Sequence, residues 1–216
     1  MANEAEYERR GVERLVFFSD AVVAIAITLL AIELPVPSGA TAGAFWSSAR
    51  GHEGVYLSFL VSFLTIAVAW SHHHDAFKYA RRADAWLRNA TMIWLLTIIL
   101  IPSATKLLTG QGHETISAHA LRWGFYALLQ TVQAAALFAM ARHMASHDLG
   151  REDASGPAGA ESGWESYGTI LGFGLSIPVF FATTYGWVLW IVMPFLVARA
   201  DQLRRRRAVE ASGLLR

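Results

Sequence analysis

The chain contains no cysteine and carries little charge. Without cysteine, disulfides, thiolate metal sites and cysteine nucleophiles are excluded. Charged residues make up 16% of the 216 residues, whereas a soluble domain usually carries about 25%. Hydrophobic residues reach 54% and the mean hydropathy is +0.35, which argues against a disordered chain and against an ordinary soluble domain. The net charge of +1 lacks the basic excess of a bulk nucleic-acid binder, so no nucleic-acid partner is expected.

The apolar residues are grouped in long runs without charge. The runs at 54–71, 89–105 and 123–141 are close to the ~20 residues that a helix needs to cross a bilayer. The run at 166–198 is too long for one crossing, and we expect a turn near residues 183–186 to divide it. With a further candidate near the N-terminus, the sequence predicts an all-α integral membrane protein. It forms a single unit over 1–216 with six spans at about 13–35, 54–76, 86–108, 119–145, 164–183 and 185–204.

Lysine and arginine are concentrated in alternate loops of this arrangement. Fifteen of the eighteen basic residues fall on one side of the membrane when six spans are assumed. Because positively charged loops stay in the cytoplasm, both termini are predicted to be cytoplasmic. The basic run at 204–207 is interpreted as an anchor attracted to anionic lipid of the bilayer. On the opposite side, residues 38–52 are predicted to form a short interfacial helix.

The first span combines a charged motif with an apolar stripe. Asp20 lies six positions after Arg14, about 240° around a helix, so the two side chains cannot pair within it and need partners on other helices. Ile25, Leu29 and Ile32 follow at helical spacing. On spacing alone, such a stripe favours packing inside the subunit, with Asp20 in a structural ion pair. A charge inside a span also marks a functional position by default, and both interpretations remain open at this point.

The pattern RxxxFSD at residues 14–20, followed by AIAITLL and a Leu-Pro exit, resembles the prokaryotic transmembrane protein 175 family of potassium channels. Trp70 and His73 fit the W-x-x-H of this family at the end of the second span, and Pro102 fits a proline late in the third. Ala21 departs from the glycine of many relatives, and either small residue permits close approach of helices. The resemblance covers all six spans, and its specific part is about 14–35.

This resemblance implies a homotetramer in a prokaryotic plasma membrane, with a central pore lined by the four first helices. Family members select ions with apolar side chains, and the TVGYG filter of other potassium channels is absent here. Mapped onto this chain, the innermost apolar ring is Ile25, followed outward by Leu29 and Ile32, with Thr28 as a hydroxyl layer associated with potassium preference. Such a ring can gate by losing its water. The residues implied in a network that holds the pore helix are Arg14, Phe18, Ser19, Asp20, Trp70 and His73.

Glu33 lies near the outer end of the first span and is expected to raise the local cation concentration at the pore mouth.

No cofactor is expected, and no metal beyond the permeant potassium ion, because consecutive histidines such as His72, His73 and His74 point about 100° apart on a helix. No enzyme motif stands out. The expected function is therefore a modestly potassium-selective channel, with a secondary transporter or an unselective cation or proton leak as the alternative.

Overall fold

The computed structural model describes the backbone at residues 2–78, 80–109, 115–147, 149 and 158–213, and the side chains of these residues except 2–5, 158–166, 205 and 207–213. Seven helices account for most of the described residues. They are α1 (Ala2–Ile32), α2 (Ala42–Gly51), α3 (Glu53–Phe77), α4 (Ala85–Leu108), α5 (Ile116–Ser146), α6 (Ala158–Phe180) and α7 (Val188–Gly213). The predicted all-helical fold is confirmed.

In the part of the chain that the structure describes, four helices are long and apolar enough to cross a membrane. They cover Glu6–Ile32, Glu53–Phe77, Ala85–Leu108 and Ile116–Ser146. The part of α6 whose side chains are described, Tyr167–Phe180, is apolar but shorter. The chain is therefore a membrane protein by length and composition of its helices, whereas the count of six spans stays a prediction.

Helix α1 begins well before the predicted start of the first span near residue 13. Its polar N-terminal part is supported by pairs one turn apart, with 2.5 Å between Arg10 and Glu6 and 3.4 Å between Arg9 and Glu13. A hydropathy profile detects only the apolar part of a helix, so it does not indicate this polar extension. At the other end, α1 stops at Ile32 just before Pro35.

The ends of the other helices follow the local sequence. Thr41, Asp84 and Thr115 each accept a hydrogen bond from a backbone N–H in the first turn of α2, α4 and α5. Residues 181–187 separate α6 from α7 where a turn is predicted. The helix predicted within 38–52 is α2, which has no buried residue. It leads into α3, where the Tyr56 hydroxyl donates to the Pro35 carbonyl at 2.8 Å and ties the exit of α1 to α3.

Buried hydroxyl and amide groups join α3, α4 and α5. The Tyr126 hydroxyl lies 3.1 Å from the Ser62 oxygen and 2.9 Å from the Gln130 amide nitrogen, which donates to it. Thr105 donates to Ser62 at 2.7 Å, and Gln130 donates to Thr65 at 2.8 Å. In a membrane these groups have no water to bond, so bonds across helices are their alternative to an unpaired polar atom. The network therefore fixes how the three helices meet.

Helices α5, α6 and α7 pack through aromatic rings and a close backbone approach. Trp190 of α7 stacks on Phe173 with ring centroids 4.7 Å apart, and its indole N–H donates to Ser176 at 2.8 Å. On α6, a Cβ at Gly168 would lie 2.7 Å from Pro194 Cα, and one at Gly172 would lie 2.8 Å from a backbone oxygen of α7. Only glycine permits this approach, in the manner of the small-xxx-small pattern of membrane helices.

Asp84 joins the start of α4 to the end of α5. Its carboxylate accepts from the Leu87 backbone N–H at 2.8 Å and lies 2.7 Å from Nε2 of His143, whose ring stacks on Trp86 at 4.2 Å. These two hydrogen bonds hold the pKa of Asp84 below its ordinary value of 3.8, and the bond from Leu87 has the larger effect. A lowered pKa means that the carboxylate stabilises the fold above about pH 4 and that this contribution is lost as the pH falls through the folded-state pKa.

We expect Asp84→Asn to lower the free energy of unfolding at pH 7 by about 1 kcal/mol or less. The effect is small because asparagine can still cap the N-terminus of α4 and because the side chain is 38% exposed. What is lost is the charge on the hydrogen bond to His143. The difference between wild type and variant should shrink as the pH falls below 4. Unfolding in detergent, followed by tryptophan fluorescence from pH 7 to pH 3, measures it. Asp75→Asn, at an exposed position on α3, is the control, and a pH-independent difference for Asp84→Asn would contradict the expectation.

Candidate functional site

Helix α1 has one face buried in the subunit. Ser19, Val23, Ala26 and Leu30 are all buried, and they recur at the spacing of a single helix face. Their neighbours are on α3 and α4. This face fixes the rotation of α1 about its own axis, and it therefore determines where every other side chain of the helix points.

The predicted apolar stripe lies on the other side of α1. Ile25 comes two residues after the buried Val23, about 200° around the helix, and it is 60% exposed. Leu29 and Ile32 are 46% and 78% exposed. The interpretation of this stripe as core of the subunit is therefore wrong, because these side chains point away from the rest of the chain. An apolar face of this kind needs lipid, another protein surface or a narrow pore beside it.

Thr28 is exposed on the same side of α1 and has an oriented hydroxyl. The hydroxyl donates its hydrogen to the Ile25 carbonyl at 2.8 Å. Because that hydrogen is used within the helix, the lone pairs of the oxygen remain as acceptors. The stripe thus alternates apolar side chains with an oxygen that can accept a hydrogen bond or contact a cation.

Two members of the predicted network are brought together by the structure. The Trp70 indole N–H donates to the Asp20 carboxylate at 2.8 Å, which links α3 to α1. Ser19 is buried, and its hydroxyl donates to the Leu15 carbonyl within α1. Arg14 and Phe18 are exposed. Within the described residues, the Arg14 guanidinium has no hydrogen bond or ion pair.

His73 lies near this pair without bonding to it. Its ring is fully buried between Trp94 and Phe77, with centroids 4.3 Å and 4.4 Å away. Neither ring nitrogen has a hydrogen-bond partner among the described residues. The contact of His73 is therefore aromatic stacking, which anchors α3 on α4 beside the Asp20–Trp70 bond. The ring of neighbouring His74 instead contacts Trp70 in a tilted arrangement, with centroids 5.7 Å apart, so these two consecutive histidines point in different directions.

Glu33 has a partner that the sequence did not reveal. The Lys106 ammonium nitrogen, on α4, lies 2.9 Å from its carboxylate, and both side chains are more than half exposed. The pair is separated by more than seventy residues in sequence, so no local pattern could have indicated it. As a consequence, the acidic charge just after the C-terminal end of α1 is partly balanced. Within the described residues, no cluster of three or more His, Asp or Glu side chains could hold a metal ion.

Comparison with known structures shows the same fold in channels. The chain matches a crystal structure from Chamaesiphon minutus described as a lysosomal potassium-selective channel TMEM175 homologue, with a TM-score of 0.68 and 24% identity over 88% of this chain and 98% of that one. A second match is a variant of the potassium channel MtTMEM175 in complex with a nanobody fusion protein, with a TM-score of 0.63, 18% identity, and coverage of 91% and 93% of the two chains. The chain therefore has the fold of these two channels.

Sequence comparison points to the same family. A family model for the endosomal/lysosomal potassium channel TMEM175 matches residues 14–102, so the predicted resemblance is confirmed for α1 to most of α4. A potassium channel of Streptomyces collinus is 32% identical over 61% of this chain and 63% of its own length. A potassium channel of Chamaesiphon minutus is 40% identical over 42% of this chain and 47% of its own length. The chain thus spans less than two thirds of these curated relatives, all of which are named as channels rather than enzymes.

Proposed function

We propose that this chain is a member of the TMEM175 family and one subunit of a modestly potassium-selective cation channel in a prokaryotic plasma membrane. The observation that carries the proposal is the outward-facing stripe of Ile25, Leu29 and Ile32 on a helix of membrane-spanning length. The names of the relatives support the same ion. Passive flow down a gradient distinguishes this function from that of a secondary transporter, which couples movement of one solute to another.

The proposed assembly is a homotetramer that brings four copies of α1 around a central axis. One chain cannot enclose a pore with a single exposed helix face, whereas a closed ring of identical subunits can. The face of α1 that packs on α3 and α4 stays within each subunit, and the stripe turns towards the axis. In this arrangement Arg14 and Phe18, exposed on the same helix, are placed to contact neighbouring subunits.

The proposed gate is the ring of four Ile25 side chains. An apolar constriction excludes water when it is narrow, and an ion without its hydration shell does not cross it. When the ring is wide enough to admit a partly hydrated ion, potassium passes more readily than sodium because it loses water at lower cost. Leu29 and Ile32 extend the apolar lining outward, which lengthens the barrier that a hydrated ion meets.

Thr28 is proposed as the layer that partly replaces the lost water. Its oxygen keeps free lone pairs because the hydroxyl hydrogen is donated to the Ile25 carbonyl. Four such oxygens in a ring would offer a dehydrated cation a set of neutral ligands just outside the Ile25 constriction. Neutral oxygens bind a monovalent cation weakly enough for it to leave again, as conduction requires.

The proposed topology has six spans and both termini in the cytoplasm. The distribution of basic residues supports it, and α6 and α7 are the proposed fifth and sixth spans. In this orientation Ser19, Asp20 and Trp70 lie towards the cytoplasmic side of the Ile25 ring, and Glu33 lies at the outer mouth. The hydrogen bond between Asp20 and Trp70 then holds the proposed pore helix, α1, against α3, and His73 is stacked beside this bond.

We expect Ile25→Asn to increase cation leak and to bring the potassium-over-sodium flux ratio close to about one, because an amide in the ring keeps it wet. Flux into liposomes under potassium, sodium and proton gradients measures both effects. Ile191→Asn is the matched control, since Ile191 is exposed on α7, a helix that has no contact with α1 within the described residues. Unchanged selectivity in Ile25→Asn would remove this residue from the filter, and flux that requires a coupled counter-gradient would replace the channel by a transporter.

The tetramer predicts a protein mass near 94.8 kDa, four times the 23.7 kDa of the chain. Light scattering with correction for bound detergent measures this mass in the intact particle. A mass corresponding to two or three copies would exclude the fourfold pore, because the ring of α1 helices would then have a different number of members.

We expect Lys106→Gln to raise potassium flux about two- to tenfold at low ionic strength, because it removes the cation that balances Glu33 at the outer mouth. The gain should disappear near 1 M salt, where the Debye length is about 3 Å. The same substitution combined with Glu33→Gln is the control and should show no gain. A gain that persists in the double variant would mean that Lys106 acts on the flux without Glu33.

A further inference from the structure

A cleft of about 720 Å³ opens beside the N-terminal half of α1, outside the proposed pore. One wall is α1, and the other is formed by the end of α3 together with Lys78, Ala80, Arg81 and Arg82. The volume falls in the range of pockets that hold small molecules, about 300–1,000 Å³. Because α1 and α3 are both of membrane-spanning length, the cleft lies where spans end and lipid headgroups begin.

The walls of the cleft change in character along the membrane normal. The deeper part contains Val12, Val16 and Phe17 of α1 and Phe77 of α3, and Phe17 is 70% exposed. The part beyond the end of α3 contains Arg81 and Arg82. An amphiphile with an anionic head and an apolar tail fits this cleft. Its head would contact Arg81 and Arg82, and its tail would lie along Phe17 and Val16.

Arg81 and Arg82 project from a segment that is held in place. The Ala80 backbone N–H donates to the Phe77 carbonyl at 3.0 Å, and the Arg81 N–H donates to the Leu149 carbonyl at 2.8 Å. Within the described residues, neither guanidinium makes a hydrogen bond or an ion pair, although both are exposed in the cleft. Two adjacent arginines on an anchored backbone form a preorganised pair of planar donors, which is the geometry that phosphate favours.

The acidic residues of the cleft do not cancel these charges. Glu13 is paired with Arg9 at 3.4 Å along α1. Glu8 lines the α1 wall of the cleft, and Lys78 lines the opposite wall beside Arg81 and Arg82. With Arg9 and Glu13 balancing each other, the formal charges of Lys78, Arg81 and Arg82 exceed that of the remaining carboxylate, Glu8, by two. We propose that this cleft binds an anionic phospholipid, with its phosphate on Arg81 and Arg82 and an acyl chain along the α1 wall. The site rests on the proposed membrane embedding and is independent of ion conduction.

Native mass spectrometry of the full-length protein, titrated with phosphatidylglycerol or phosphatidylcholine, tests the site. We expect the intact protein to prefer phosphatidylglycerol, and Arg81→Ala/Arg82→Ala to weaken that binding about 25-fold, since each basic residue near an anionic membrane contributes about a factor of five. Arg142→Ala/Arg199→Ala removes two exposed arginines outside the cleft and should leave binding unchanged. Arg81→Lys/Arg82→Lys, which keeps both charges, should stay within about fivefold of wild type.

Three results would overturn the proposal. Equal loss in the two alanine pairs would mean that only total charge matters. Equal binding of the two lipids by the wild-type particle would mean that the arginines meet no headgroup, as when a neighbouring copy covers the cleft. Competition by inorganic phosphate at concentrations similar to the lipid would mean that the tail contributes nothing and that the ligand is a free phosphate. Lipid binding without potassium flux would instead contradict the proposed channel function and would still support this lipid site.

Discussion

The structure depends on the way α1 divides its surface between two environments. One face, with Ser19, Val23, Ala26 and Leu30, is buried against the rest of the subunit, and the opposite face is apolar yet has no cover within the described part of the chain. The buried face sets the helix rotation, so the outward direction of Ile25 is a consequence of packing on α3 and α4. A single chain with this division could not enclose the proposed pore, so the proposed function depends on the proposed assembly.

The remaining helices supply a rigid support for α1. Hydroxyl and amide bonds among Ser62, Thr105, Tyr126 and Gln130 fix α3, α4 and α5 together. The stacking of His73 between Trp94 and Phe77 adds a second contact between α3 and α4 nearer the predicted cytoplasmic side. Because bonds of this kind replace water in the bilayer, they specify helix register more strictly than apolar packing, in which side chains can slide past one another.

Sequence alone indicated the helices and the position of the turn near 183–186, because both depend on local composition. It did not indicate that α1 begins at Ala2, since the polar first turns are helical through pairs such as Glu6–Arg10 and not through apolar length. Spacing placed Ile25, Leu29 and Ile32 on one face but could not say whether that face pointed inward or outward. The Glu33–Lys106 pair was missed because only the tertiary fold brings its members together.

The hydrogen bond from Tyr56 to the Pro35 carbonyl has a mechanical consequence when it is considered with that from Trp70 to Asp20. Both bonds attach α1 to the same helix, α3, one beyond the C-terminal end of α1 and one on the N-terminal side of Ile25. Ile25 lies five residues, or about 7.5 Å, from the attachment at Asp20. A helix clamped at two points on one neighbour resists turning about its own axis but can still bow between the clamps. Widening of the proposed gate at Ile25 would therefore require the segment between these two bonds to flex, or one of the bonds to break.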